Sequence, residues 1–417
     1  MIMSKYSIGT GDRFGKQGVA QLNAVIQAKA EGIDLEIVWN KSHREHTTIQ
    51  TTQDSVRREA DEAVSALDWQ GGYYVDADHI GLATVDNFIA SSDFFTLDVA
   101  DFTGKRATEE SIDAFVARHS DLIGSVEVPG MAEPVAVTGE KIRHVAEEFL
   151  LAVQEAGKIY RHIEGAKGTG TFVTEVSMDE TDEPQTPEDM MLILAAIADE
   201  GIPSQTIAPK FSGRFNKGVD YVGDAEQFER EFEDDVCVIS WAVREFGLPA
   251  NLKLSVHSGS DKFSIYGGIN RVLRKHDAGL HVKTAGTTWL EELIGLAESG
   301  GNAAGLVKNI YARSLDRYGE LCAPYATVID IDTAKLPPQG EFFLLSGADV
   351  ASAIRHDQSN PAYNPNIRQL LHVGYKVAAE MGERYLDALD EYSDRVAANV
   401  TGNIYERHIL PLFGMRA

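Results

Sequence analysis

Asp78 and His79 stand side by side, Glu175 sits inside the apolar run Thr171-Phe-Val-Thr-Glu-Val-Ser-Met178, and a second histidine ends Asn251-Leu-Lys-Leu-Ser-Val-His257. Two imidazoles and a carboxylate, His79, His257 and Glu175, form a facial set suited to a divalent cation such as Zn, Mn, Ni or Fe. Asp78, beside a candidate ligand, can accept a proton from a substrate or orient the imidazole of His79. Glu175 is the second candidate for acid/base work. The three ligands carry no short-range spacing, so a plainer reading stands beside this one. In it His79 caps a strand, Glu175 pairs with a lysine, and His257 is a hydrogen-bonded core histidine.

A basic group accompanies them: Lys210, Arg214, Lys217, Lys262 and Lys283. In a chain with 38 Lys and Arg against 64 Asp and Glu, a net charge of −26, such a local group suits an anionic sugar or phosphate. Lys210, Arg214 and Lys283 are the expected substrate contacts, joined by Arg13 and Asp261 from the same kind of position. Lys217 and Lys262 can equally offset nearby carboxylates. The acid excess disfavours nucleic acid, which demands a basic face.

The elements that must carry these residues alternate strand with helix. Apolar, β-branched runs start near Tyr6, Leu35, Gly72, Phe94, Thr171, Gln205, Asn251 and Leu280, and each ends in polar residues. Helical stretches follow most of them, one after Thr84, another opening at Thr186-Pro187 with an N-cap and a first-turn proline, and another ending at Gly247. Eight such units are the arithmetic of an α/β fold, a (β/α)8 barrel, whose active site lies at the C-terminal tips of the strands. The expected layout is a barrel over 1–300, interrupted by a helical insertion at about 101–170, and a helical extension over 301–417. The extension packs on the barrel or on a second subunit, which leaves room for a homo-oligomer. Gly9, Gly11 and Gly15 lack the spacing of a dinucleotide fingerprint.

Only Cys237 and Cys322 are present, so neither a disulfide framework nor a cysteine metal site is expected. With no basic-then-apolar leader and no apolar run of membrane-spanning length, the expected location is the cytoplasm, away from membranes.

Four strings carry a resemblance: Asp76-Ala-Asp-His-Ile80, Ala208-Pro-Lys-Phe-Ser-Gly-Arg-Phe-Asn-Lys-Gly218, Leu254-Ser-Val-His-Ser-Gly-Ser-Asp-Lys-Phe263 and His281-Val-Lys-Thr-Ala-Gly-Thr-Thr-Trp289. They resemble the tagaturonate epimerases, which interconvert tagaturonate and fructuronate and depend on a divalent metal. A fainter likeness runs to class II aldolases and to the accessory subunits of tagatose-bisphosphate aldolase. By that likeness Asp78 is the acid/base, and His79 and His257 bind metal. Where those aldolases carry a ligating histidine after strand six, this chain has Lys210 and Phe211, so the resemblance leaves the third ligand open. It implies a small anionic keto-uronate as substrate and inversion at C4 by retro-aldol and aldol steps. An aldolase that releases its fragments, and a noncatalytic accessory subunit, are the rival readings.

Overall fold

The computed structural model describes residues 1–179, 181 and 183–414. Its centre is a closed ring of parallel strands: β1 (Tyr6–Gly11), β2 (Glu36–Ser42), β3 (Tyr73–Ile80), β4 (Phe94–Asp98), β5 (Val173–Ser177), β6 (Thr206–Ala208), β7 (Lys253–Val256) and β8 (Leu280–Val282). Each strand pairs with its sequence neighbour, and β8 returns to β1 with Ile8 opposite Val282. All eight expected strands are present, with ends shifted by a few residues.

Side chains alternate across a strand, and this alternation sorts the sequence into two faces. Ile37, Trp39, Val75, Ala77, Phe95, Leu97, Val176 and Leu254 belong to the large buried cluster shared with the surrounding helices. The opposite parity fills the barrel. Val38, Tyr74, Phe94 and Val173 join Met3 in a separate apolar cluster. Two residues further along the same strands come Asn40, Asp76, Thr96 and Glu175, all buried. The polar half of the alternation therefore points inward, and its last members reach the mouth.

Around the ring lie α1 (Gly18–Ala30), α2 (Asp54–Ala66), α3 (Gly139–Lys167), α4 (Pro187–Asp199), α5 (Ala225–Phe246), α6 (Phe263–His276) and α7 (Thr288–Ser299). Thr186 makes a capping box with Asp189 ahead of Pro187, and Gly247 ends α5 with a φ of 68°. The helix expected after Thr84 is absent: only the short turn Val85–Asn87 follows β3, so α3 is the next helix of the ring. The insertion is also less helical than expected. Beside α3 and the helix Glu109–Arg118 it holds an antiparallel pair, Gly124–Val126 with Val135–Val137.

After Gly300 the chain is helical, with α8 (Gly301–Asp316), α9 (Pro365–Val373) and α10 (Ser393–Ile404) among its elements. Residues 415–417 of the expected extension lie outside the described residues. α10 packs on both α1 and α7. At Gly295 a Cβ would stand 2.7 Å from the Val396 Cα, so only glycine allows this approach. Among the described residues no helix is long and apolar enough to cross a membrane.

Candidate metal centre

Strand β3 ends in a distortion. Its register with β4 shifts between Ala77 and Ile80, and His79 takes a φ of 54°, a left-handed conformation uncommon outside glycine. Regular alternation would send Asp78 and His79 to opposite faces. The distortion brings both to the mouth, where the Asp78 carboxylate accepts from His79 Nδ1 at 2.6 Å. Ser258, Asp261 and Thr284, just past β7 and β8, also have positive φ. Such strain clusters at functional sites.

His257 leaves the tip of β7 with its ring 5.2 Å from that of His79, centre to centre. Its Nε2 bonds Glu175 Oε1 at 2.8 Å. Its Nδ1 lies 3.1 Å from Asp179 Oδ2. Asp179 is set by Ser177, whose hydroxyl donates to the other carboxylate oxygen. One ligand atom from each of His79, Asp179 and His257 lies within 4.8 Å of the others. Bonds of roughly 2.1 Å put donors around one ion at most about 4.2 Å apart, so a small inward shift closes the set.

These residues fit a divalent cation. Each imidazole has one nitrogen held by a carboxylate, Asp78 for His79 and Glu175 for His257, which leaves the other nitrogen as ligand. That arrangement fixes ring orientation and raises ligand basicity. Burial disfavours a proton on His257, yet Asp179 and Glu175 outweigh it and push the ring up to about 10. Carboxylates that stabilise a proton there equally stabilise a metal, whose binding releases that proton.

The sequence reading put Glu175 among the ligands. Glu175 is fully buried and bonded to His257, and the group whose ligand atoms converge contains Asp179, which the sequence reading did not name. The signal was present: 175, 177 and 179 continue the inward parity of β5 beyond its last paired residue.

Other expected contacts are placed elsewhere. Lys283 sits among carboxylates. Its ammonium lies inside the barrel, 2.9 Å from Asp76, 2.8 Å from Asp78 and 3.3 Å from Glu175, and donates also to Thr96. Burial alone would neutralise it, but the three carboxylates hold its pKa above the usual lysine range. Burial pushes Asp76 up to about 6, partly offset by Lys283. Removing one partner of a buried charge set strands the others. Lys283→Met is therefore expected to lower unfolding free energy by about 3 kcal/mol or more, read from chemical denaturation at pH 7.

Asp261 is fully buried behind the mouth, where Arg368 donates to it and His356 and His408 lie 3.2 Å away. Arg368 also donates to the Gly218 carbonyl at 2.6 Å and the Ile354 carbonyl at 2.7 Å. This knot fastens the extension to the loop after β7 and buries the Asp261 side chain completely. Lys210 Nζ donates to the Thr181 carbonyl. Arg214 is half exposed on a surface loop, 3.4 Å from Asp330. Arg13, on the loop after β1, lies 3.3 Å from Glu45.

Residues 1–408 match the model of a family described as tagaturonate epimerase. A tagaturonate/fructuronate epimerase of Thermotoga maritima is 29% identical over 423 aligned positions, spanning 97% of this chain and 80% of that protein. Two crystal structures of a fructuronate-tagaturonate epimerase from Cohnella laeviribosi, native and with glycerol, share the fold with TM-scores of 0.79 and 0.80 at 23% identity. Each alignment spans 99% of this chain and 82% of that one. By its barrel and by a family match running almost end to end, this chain belongs to the tagaturonate epimerases.

Proposed function

We propose that this enzyme interconverts D-tagaturonate and D-fructuronate at C4 by breaking and remaking the C3–C4 bond, with a divalent cation held by His79, Asp179 and His257. The observation that carries this reading is the pair of carboxylate-oriented imidazoles converging with Asp179 at the strand tips.

The hydrogen on C4 is not adjacent to the C2 ketone and is not acidic, so proton abstraction from carbon cannot invert this centre. The 4-hydroxyl, however, is β to that ketone. When bound, the cation polarises the ketone and offsets charge developing on its oxygen. Asp78 takes the 4-hydroxyl proton, C4 becomes an aldehyde, and the C3–C4 electron pair moves toward C2, leaving an enediolate half. Both Asp78 contacts use Oδ1, so Oδ2 is the oxygen available to that proton. Lys283 and His79 hold the Asp78 carboxylate ionised, against the effect of burial. Rotation of the aldehyde half and re-addition of C3 to its other face returns the proton and gives the epimer. Keeping both halves in place makes the second step intramolecular.

Incubation of D-tagaturonate with the enzyme in heavy water tests the route. Fructuronate is expected with no deuterium at C4, since the C4–H bond stays intact. Deuterium at C4 excludes the route. Stoichiometric release of the two halves would make the protein an aldolase instead.

A further inference from the structure

Of the expected cationic contacts, Lys283 is engaged by three carboxylates, Lys210 by the Thr181 carbonyl, and Arg214 lies near Asp330, which leaves open what holds the charged end of the sugar acid. Two cations do reach the rim. Arg13, on the loop after β1, has a side chain 17% exposed, 3.3 Å from Glu45 and stacked 4.5 Å above the Tyr375 ring, and its Nε is buried with no hydrogen-bond partner. Lys217, on the loop after β6, donates to Ser258 Oγ at 3.1 Å and forms no ion pair among the described residues. Ser258 directly follows His257, so this ammonium adjoins the proposed metal centre.

A third group comes from the extension. His372, on α9, has a buried Nδ1 without a partner, and that nitrogen would lie 3.4 Å from a Cβ built on Gly218, next to Lys217. Arg13 and Lys217 repel each other, and both disfavour a proton on His372. Two close cations and two unsatisfied nitrogens form a cluster that an anion would complete. An ammonium has three donors, of which Lys217 spends one on Ser258.

We infer that Arg13, Lys217 and His372 seat the carboxylate of the substrate, with the loops after β1 and β6 and the C-terminal extension each supplying one wall. The inference rests on the proposed reaction for its substrate class. It also fits the length of the sugar: the carboxylate is two carbons beyond C4, at roughly 1.5 Å per bond, so its seat must border the metal centre, as Lys217 does.

The test compares binding by the full-length protein of the equilibrated tagaturonate–fructuronate pair with that of D-tagatose, which carries a hydroxymethyl group in place of the carboxylate. Charge-assisted hydrogen bonds predict that Lys217→Met weakens acid binding about 100-fold, while tagatose binding changes less than about threefold. Lys217→Arg is expected to restore most of the acid preference, and a thermal melt of each variant verifies folding. If Lys217→Met keeps the wild-type preference for acid over neutral sugar, or if tagatose 6-phosphate binds tighter than the acid pair, the carboxylate seat is wrong. If the protein binds the keto acids without turning them over, the reaction proposed above fails, yet the acid-over-neutral comparison still decides the seat.

Discussion

Dialysis against a strong chelator is expected to cut epimerisation below about a thousandth of its starting rate, and returning a divalent cation is expected to restore it. The magnitude follows from Lewis-acid stabilisation worth several kcal/mol, at about 1.4 kcal/mol per factor of ten. His257→Ala is expected to do the same without chelator, since it removes a candidate ligand nitrogen and the imidazole that Glu175 and Asp179 share. Metal analysis of the purified variant distinguishes loss of the ion from loss of the fold. An enzyme that keeps full turnover after chelation, or a His257→Ala protein that still holds one metal per chain, refutes the centre.

Asp78→Asn probes the chemistry rather than the metal. The amide oxygen can still accept from His79 Nδ1, so ring orientation and metal content are expected to persist. The amide cannot take a proton from the 4-hydroxyl, and loss of a general base costs about 10²–10⁴ in turnover. A fall of about 10³ in kcat with little change in KM is the expected result, measured on protein of verified metal content. Turnover within tenfold of wild type would move the base to another group. Lys283 retains Asp76 and Glu175 as partners in this variant, so stability is expected to suffer less than in Lys283→Met.

The barrel was legible because alternation and length point the same way in every strand, from Tyr6 to Val282. His79, His257 and Asp78 were legible as a candidate site because polar residues at the end of an apolar strand have few structural uses. The same rule misdirected Lys283 and Asp261. A polar residue near a strand end can face the mouth, the interior or the loop behind, and sequence parity does not say where its counter-charge lies. Lys283 found three carboxylates inside the barrel, and Asp261 found an arginine 107 residues later. Asp179 went unseen because it lies beyond the paired part of β5, where alternation was not extended. Lys217 was noticed only as one of five basic residues. What sets it apart is the pairing of the others, which no sequence pattern records. His372 offered no signal, since the helix that brings it to the rim joins the site only in three dimensions.

The bond between Arg368 and Asp261 imposes an order on biosynthesis. With 107 residues separating the two, a ribosome working at roughly 5–20 residues per second delivers the guanidinium roughly 5–20 seconds after the carboxylate. In that interval the nascent chain carries the strands of the ring but not the group that neutralises one of its deepest acids. The loops behind β7 and β8 lock only once Arg368 has been made, so a polypeptide stalled before it is left with an unfinished rim, open to proteases and chaperones.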